Sequence, residues 1–262
     1  MGPLDQLGSA RLAAHLRNKD DWKQLIQGSV DAIQIKSFAT VSECGELLAF
    51  IQKHPRVEQY NTAAGIVRLG NSFSDIRKSG KISEAYSKPD ILQEALAVNY
   101  AVSRIIGCIT ASWPHGLETY CYNNVPLHRS IARRIVSRGA EAHDDNIANE
   151  IPEDKIASTV QVQLGVNLYI EVPSLGGELE GWHRRLSPKE YDGLRNADPK
   201  LAYGVRRTAI GRSDWLIKPS SGDLIIFNNS ELHAINLSEG ARTTWGFFLG
   251  YRGDDKPLLI WS

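Results

Sequence analysis

The chain has 262 residues, with 30 lysines and arginines set against 30 aspartates and glutamates, so its formal net charge is zero. That balance excludes a global basic field of the kind that draws in nucleic acid or an anionic membrane surface. Hydrophobic residues make up 42% of the chain, ample for a core, yet no apolar run reaches the length of about 18 residues that spans a bilayer. Cys44, Cys108 and Cys121 are odd in number and widely spaced. They fit a reducing cytoplasm better than a disulfide frame, and they lack zinc-ribbon spacing. The start Met1-Gly2-Pro3-Leu4-Asp5 has no basic stretch followed by an apolar one, so no secretion signal is expected and a cytoplasmic location is.

The first part of the chain has helical texture. Residues 4–27 read as one or two helices, with Leu12, Ala13, Leu16, Trp22, Leu25 and Ile26 at roughly helical spacing. Residues 32–38 alternate and predict a strand. Thr40-Val41-Ser42-Glu43 reads as a capping box, opening a helix that carries Leu47, Leu48 and Ile51 and ends near His54-Pro55. Residues 66–70 predict a short strand. Residues 88–108 predict one long helix, because Ile91, Leu92, Ala95, Val98, Ala101, Val102 and Ile105 make an apolar stripe.

From about residue 117 short β-rich runs separated by turns take over. They are 119–122, 132–137, 160–172, 177–182, 215–218, 223–227, 243–250 and 257–261. Irregularly spaced short strands in that number predict a sandwich or jelly roll. Ser187-Pro188-Lys189-Glu190 reads as a capping box with proline at the first helical position. It opens a polar, basic stretch, about 187–213, with Arg195, Arg206, Arg207 and Arg212, expected to be an insertion or lid. The expectation is an α+β fold in a single domain, 1–262: a helix-rich support region over 1–116 and a β-rich core over 117–262.

The chemistry-bearing residues fall in the β-rich part. In His143-Asp144-Asp145, alternation along an extended segment would point His143 and Asp145 to one side and Asp144 to the other. His233 follows the apolar run Leu224-Ile225-Ile226-Phe227 and a turn. Taken alone, the tripeptide reads as a polar turn and His233 as a satisfied core histidine, ahead of a ligand role for either. Arg242 lies nine positions beyond His233 among Thr243, Thr244, Trp245 and Phe247. A guanidinium there would be costly to bury without an anion, and Thr244 shares its side. Two imidazoles, one carboxylate and one arginine suit a mononuclear iron(II) site with an anionic cosubstrate. His15, His54, His115 and His128 have no matching carboxylate and read as structural or surface groups. His128, Arg129, Arg133 and Arg134 form a local basic cluster, readable as a solvated face or as a receiver for an acidic substrate.

As a set, the His143–Asp145 pair, Gly176-Gly177-Glu178-Leu179 after the strand Val166-Asn167-Leu168-Tyr169-Ile170, and Gly222-Asp223 … His233 … Gly240 … Arg242 resemble the iron(II)/2-oxoglutarate-dependent oxygenases. Within them the chain is similar to the prolyl-hydroxylase-like branch with its small-molecule hydroxylases and carrier-free halogenases, which act on amino acids and alkaloids. The likeness covers about residues 132–262. It implies a double-stranded β-helix, a jelly-roll or cupin-like core. It implies Fe(II) held by His143, Asp145 and His233, with 2-oxoglutarate on the iron and on Arg242, and O2 as the oxidant. Asn167 and Tyr169 share strand parity and read equally as cosubstrate contacts with Thr244 or as core filling. Trp182, His183 and Arg184 read as a substrate mouth or as an exposed strand end. Halogenase relatives have glycine or alanine where this chain has Asp145, so the resemblance implies hydroxylation of a small molecule, with desaturation, ring closure or halogenation on the same site as alternatives. The competing reading is a non-catalytic jelly-roll binding module. Demethylation of nucleic acid or protein would need a basic groove, against which the zero net charge argues.

Overall fold

The computed structural model describes residues 9–59, 66–195 and 204–262. The reading of Met1 to Asp5, the first residues of the 4–27 expectation and the centre of the 187–213 insertion lie outside the described residues. The strands that organise the chain are β1 (Leu12–Ala13), β2 (Ala32–Ile35), β3 (Val57–Gln59), β4 (Ile66–Leu69), β5 (Leu117–Thr119), β6 (Ile131–Val136) and β7 (Ala140–His143). They continue with β8 (Val162–Glu171), β9 (Leu179–Gly181), β10 (Trp215–Ile217), β11 (Leu224–Asn228), β12 (His233–Ile235), β13 (Ala241–Tyr251) and β14 (Leu258–Trp261). The helices are α1 (Lys19–Ile26), α2 (Val41–Lys53), α3 (Phe73–Ser79), α4 (Ile82–Tyr86), α5 (Ile91–Val98), α6 (Tyr100–Ser112), α7 (Ile147–Glu150), α8 (Pro188–Leu194) and α9 (Arg207–Ile210).

The strands form two principal sheets. In the ten-stranded one the order is β1-β2-β11-β8-β13-β6-β4-β3, with β14 also on β13 and β5 on β14. The four-stranded one runs β10-β9-β12-β7. From β6 to β13 the chain visits large, small, large, small, small, large, small and large sheet in turn. Alternation along the large-sheet strands decides which side chains each layer receives. Leu69, Ala132, Trp245, Leu168 and Leu224 lie in one register row and pack under Trp22 of α1, Leu47 of α2, Ile91 of α5 and Ile105 of α6. The opposite side chains Tyr169, Ile225 and Phe227 meet Leu179, Trp215 and Ile217 of the small sheet. The helices therefore cover one face, and the small sheet covers the other.

Each buried large apolar side chain contributes about 1.5–3 kcal/mol, whereas an exposed ion pair such as Arg195–Asp192 contributes about 0–1 kcal/mol. The helix-to-sheet layer is accordingly the main source of rigidity. Two capping boxes form as the sequence predicts, Thr40 with Glu43 and Ser187 with Glu190. The expected single helix over 88–108 is instead α5 and α6, with the Ile82–Val98 segment and α6 meeting at 100°. Asn99 makes the break. Its backbone is extended at φ −142°, its side-chain oxygen accepts from the Ala101 N–H, and its amide donates to the Glu43 carbonyl at 2.9 Å. A tertiary hydrogen bond to α2 thus overrides the continuous apolar stripe, and Val98 is left 53% exposed. No single helix among the described residues is long and apolar enough to cross a membrane.

Glu43 ties this corner together. Its carboxylate accepts from Arg104 of α6 at 2.9 Å and from the Thr40 N–H at 2.8 Å. The Arg104 hydrogen bond first, and the Thr40 N–H second, hold its pKa down at about 2. A carboxylate depressed in the folded state stabilises above its ordinary pKa and loses that contribution as pH falls through the folded value. Glu43→Gln should lower stability at pH 7 by about 1–2 kcal/mol. Urea melts should show that deficit shrinking between pH 5 and pH 2, where the parent's own carboxylate becomes protonated.

Candidate metal centre

His143 ends β7 and His233 begins β12, and the two are direct partners in the antiparallel ladder. Their rings lie 4.4 Å apart between centroids. In each ring Nδ1 faces a backbone carbonyl two residues back, Glu141 at 2.7 Å and Glu231 at 3.0 Å. A carbonyl can only accept, so Nδ1 carries the proton and Nε2 keeps its lone pair. Those Nε2 atoms stand 4.0 Å and 3.6 Å from one oxygen of Asp145. The three donor atoms lie within 4.8 Å of one another, and this is the one such cluster of metal-ligating side chains among the described residues.

Asp145 reaches this point by a different route from the expected one. β7 stops at His143, so Asp145 is not on the strand. Its N–H donates to the Asn229 carbonyl at 2.8 Å, and its carboxylate accepts from the Asn229 amide at 2.9 Å. Burial opposes the Asp145 charge, but the nearby His233 and His143 and the Asn229 amide outweigh it and hold the carboxyl well below its ordinary range. Burial, and then the charge of His233, push the His143 pKa down to about 4. The imidazole is therefore neutral at pH 7, the form that binds a metal. Asp144 stays out of the cluster; burial and then the Asp145 charge raise its pKa to about 6.

Asn229 needs space that only glycine leaves. A Cβ on Gly165 of β8 would sit 2.1 Å from the Asn229 side-chain oxygen. Gln163 fixes the same loop: its carbonyl accepts from the N–H groups of Asn229 and Ser230, and its own N–H donates to the Ser230 hydroxyl at 2.7 Å. Sequence reading missed Gly165, Gln163 and Asn229. The available signal was a lone glycine inside the apolar run of β8, which marks a close approach.

Arg242 lies on the inner face of β13, opposite Ile135 of β6. It is 5% exposed, and among the described residues no carboxylate forms an ion pair with it. One terminal nitrogen donates to the Tyr169 hydroxyl at 3.1 Å, the guanidinium lies 4.8 Å from the centre of the Tyr169 ring, and its Nε has no hydrogen-bond partner among the described residues. Thr244 sits opposite Tyr169 and is buried. Asn167 shares the inner face, half-buried, beside Gly246, where a Cβ would lie 2.6 Å from its amide oxygen. Phe227 stacks edge-on to His233 at 5.1 Å. Tyr169, Asn167, Thr244 and Arg242 thus line the layer that also holds the His143–His233 pair.

The other expected contacts face elsewhere. Gly181 is opposite His233, so Trp182 points to the far side of the small sheet, against Ala142, Leu232 and Ala234. His183 is exposed between Asp31 and Glu231, and Arg184 is exposed. Arg207, expected in a basic lid, pairs with the buried Glu180 and donates to the carbonyls of Ala140 and Ile235 at 3.3 Å. It fastens α9 to the small sheet.

No protein-family profile matches the chain, and no curated protein sequence matches it. Its fold is similar to that of an N-substituted L-amino acid dioxygenase from Burkholderia ambifaria AMMD. The TM-score is 0.63 at 15% identity, over 93% of this chain and 91% of that one. Against the same dioxygenase in complex with alpha-KG the values are 0.56 and 17%, over 92% and 89%. HygX from Streptomyces hygroscopicus, with nickel and 2-oxoglutarate bound, is similar with a TM-score of 0.50 at 11% identity, over 89% of this chain and 87% of that one. At these identities the likeness is one of fold.

Gly165→Ala should displace the Asn229 amide and lower Ni2+ affinity about tenfold to hundredfold, as Asn229→Ala should. The double variant should be little worse than either alone, since both remove one support. Calorimetric Ni2+ titration of the three proteins checks this; undiminished affinity in Gly165→Ala would show that Asp145 is held by other means.

Proposed function

We propose that this protein is an Fe(II)- and 2-oxoglutarate-dependent oxygenase that hydroxylates an unactivated C–H bond of a small molecule, an amino acid derivative by class. One observation carries the reading: two Nε2-directed imidazoles and one carboxylate converge in the same layer as a buried guanidinium that forms no ion pair with a carboxylate among the described residues. The alternation of strands between two sheets supports a double-stranded β-helix, the jelly-roll arrangement, over 131–251. The dioxygenase of similar fold acts on N-substituted amino acids, which is the source of the substrate class.

The donor set fits the metal. Two neutral nitrogens and one carboxylate on one side form the facial triad of non-haem iron oxygenases, which leaves positions open for cosubstrate and oxygen. Arg242 fits the far carboxylate of 2-oxoglutarate, because a buried guanidinium needs an anion and binds a carboxylate through two parallel hydrogen bonds. Tyr169 already orients one guanidinium nitrogen, and Thr244 adds a hydroxyl on the same face. When bound, iron with O2 and 2-oxoglutarate supplies the oxidation, giving hydroxylated product, succinate and CO2.

The remaining work is that of the chain. The Glu141 and Glu231 carbonyls hold both imidazoles in one tautomer. Asn229 keeps the carboxylate turned to them. Ile225, Phe227 and Ile135 supply apolar walls that limit water around the reacting carbon. Asp145 fills the position that a halide needs, so hydroxylation is favoured over halogenation.

The purified protein should bind Fe(II) and then 2-oxoglutarate, and release succinate when both are present. His143→Ala and His233→Ala should each abolish metal binding while keeping the parent's circular dichroism. Arg242→Gln should keep the metal and weaken 2-oxoglutarate roughly 30-fold or more, the effect of deleting one partner of a buried charge pair. Succinate formed equally well without metal, or no 2-oxoglutarate binding by the loaded parent, would end this reading.

A further inference from the structure

Asp145 stands on a short bridge between the two sheets, residues 144–146. At one end is His143, held in the small-sheet ladder opposite His233. At the other end is Ile147, the first residue of α7, whose N–H donates to the side-chain oxygen of Gln163 at 2.9 Å. Gln163 belongs to β8 of the large sheet and lies opposite Gly250 of β13. Its neighbours Val162 and Leu164 pack among the helices, so alternation turns Gln163 to the inner face.

The backbone of Gln163 reaches the same bridge by a second path. Its carbonyl accepts from the Asn229 N–H at 2.8 Å, and the Asn229 carbonyl accepts from the Asp145 N–H at 2.8 Å. Two residues further on, the Ile147 N–H returns to the Gln163 side chain. The hydrogen bonds therefore make a closed circuit through three chain segments, beginning and ending on one residue, with Asp145 inside it. The Asn229 amide meets the Asp145 carboxylate within that circuit at 2.9 Å.

A glutamine suits this place for a local reason. A helix start leaves its first N–H groups without intrahelical partners. The N-cap of α7, Asn146, makes no side-chain capping bond, and Ile147 is buried. A buried donor left unmet is costly, and the Gln163 oxygen, itself buried, meets this one from the opposite sheet. An apolar side chain of the same length would fill the space and leave the N–H unmet. Asparagine would keep the amide but stop one methylene short.

We infer that Gln163 is a positioning residue of the metal cluster: its carboxamide fixes the far end of the bridge, so that the spacing of the two sheets sets where the Asp145 carboxylate stands relative to the two imidazoles. The inference rests on the metal-centre reading and deepens it. Asn229 acts on the carboxylate, whereas the Gln163 side chain acts on the backbone beyond it.

The test loads the full chain with Co2+, whose visible absorption reports coordination geometry. The parent should bind one equivalent. Gln163→Met and Gln163→Asn should each weaken Co2+ tenfold to hundredfold, the usual effect of removing a group that orients a ligand, and should change the Co2+ spectrum. Val166→Ala, a cavity on the opposite face of the same strand, serves as the control for stability alone. It should lower the urea midpoint comparably while leaving Co2+ affinity within twofold and the spectrum unchanged. The inference is overturned if Gln163→Met keeps the parent's affinity and spectrum, since the side chain would then be only a filler. It is overturned too if Gln163→Asn matches the parent, or if Val166→Ala loses Co2+ as severely as Gln163→Met. A parent that binds no Co2+ would end the metal-centre reading itself, and that is read before any variant.

Discussion

His143 and His233 face each other across one antiparallel ladder, and each donates its Nδ1 proton to a carbonyl two residues behind it. This pair is the constraint on which the remaining geometry rests. The ladder sets how far apart the rings stand. The carbonyls set which nitrogen is free. A ring turned over would direct an N–H at its neighbour and lose its backbone acceptor. Two imidazolium ions at a centroid distance of 4.4 Å would repel, so the pairing also favours a neutral His143, with the consequence seen in its lowered pKa. The strand Leu179–Gly181 closes the other side of His233 with a glycine, whose missing side chain leaves the space that the Trp215 ring takes.

The large sheet supplies what the small sheet cannot. Its outer face is filled by helices, so its inner face is held as a firm wall. Glycines on that wall make space for amides: Gly165 admits Asn229, and Gly246 admits Asn167. A side chain at either position would drive the amide away by sterics alone. The sheet edge is fastened too, through the buried Asp223, whose carboxylate accepts from Gln34 at 2.8 Å and from the Ser37 N–H at 3.0 Å. That bond joins the N-terminal strand to the strand leading toward His233. The N-terminal region is therefore part of the frame of the site, even though none of its described residues belongs to the cluster of His143, Asp145 and His233.

Much of the β-rich part was legible because burial on both faces leaves long β-branched and aromatic runs, as in Val162–Glu171 and Leu224–Asn228. The short strands Ala140–His143 and His233–Ile235 leave only three or four residues of signal, and there the residue types spoke louder than the pattern. Asp145 was read as strand-borne because alternation was extended past a point where the strand has ended. Trp182 was read as lining a mouth because no register was known; once Gly181 is seen opposite His233, Trp182 must turn outward. The break at Asn99 was invisible because its cause, a carbonyl on another helix, is distant in sequence. Arg133 and Arg134 looked alike as neighbours, and only strand pairing separates one facing inward from one facing out.

The acidic member of the cluster is mounted off the ladder, on a loop clasped by Asn229. The two histidines are carried by a strand pair, whereas the carboxylate is carried by a loop beyond the end of the strand. Such a mounting separates the identity of the acidic side chain from the integrity of the frame. A scaffold of this design is free to change the donor set of the cluster through one loop residue while its architecture stays the same, and selection can explore that position at little structural risk.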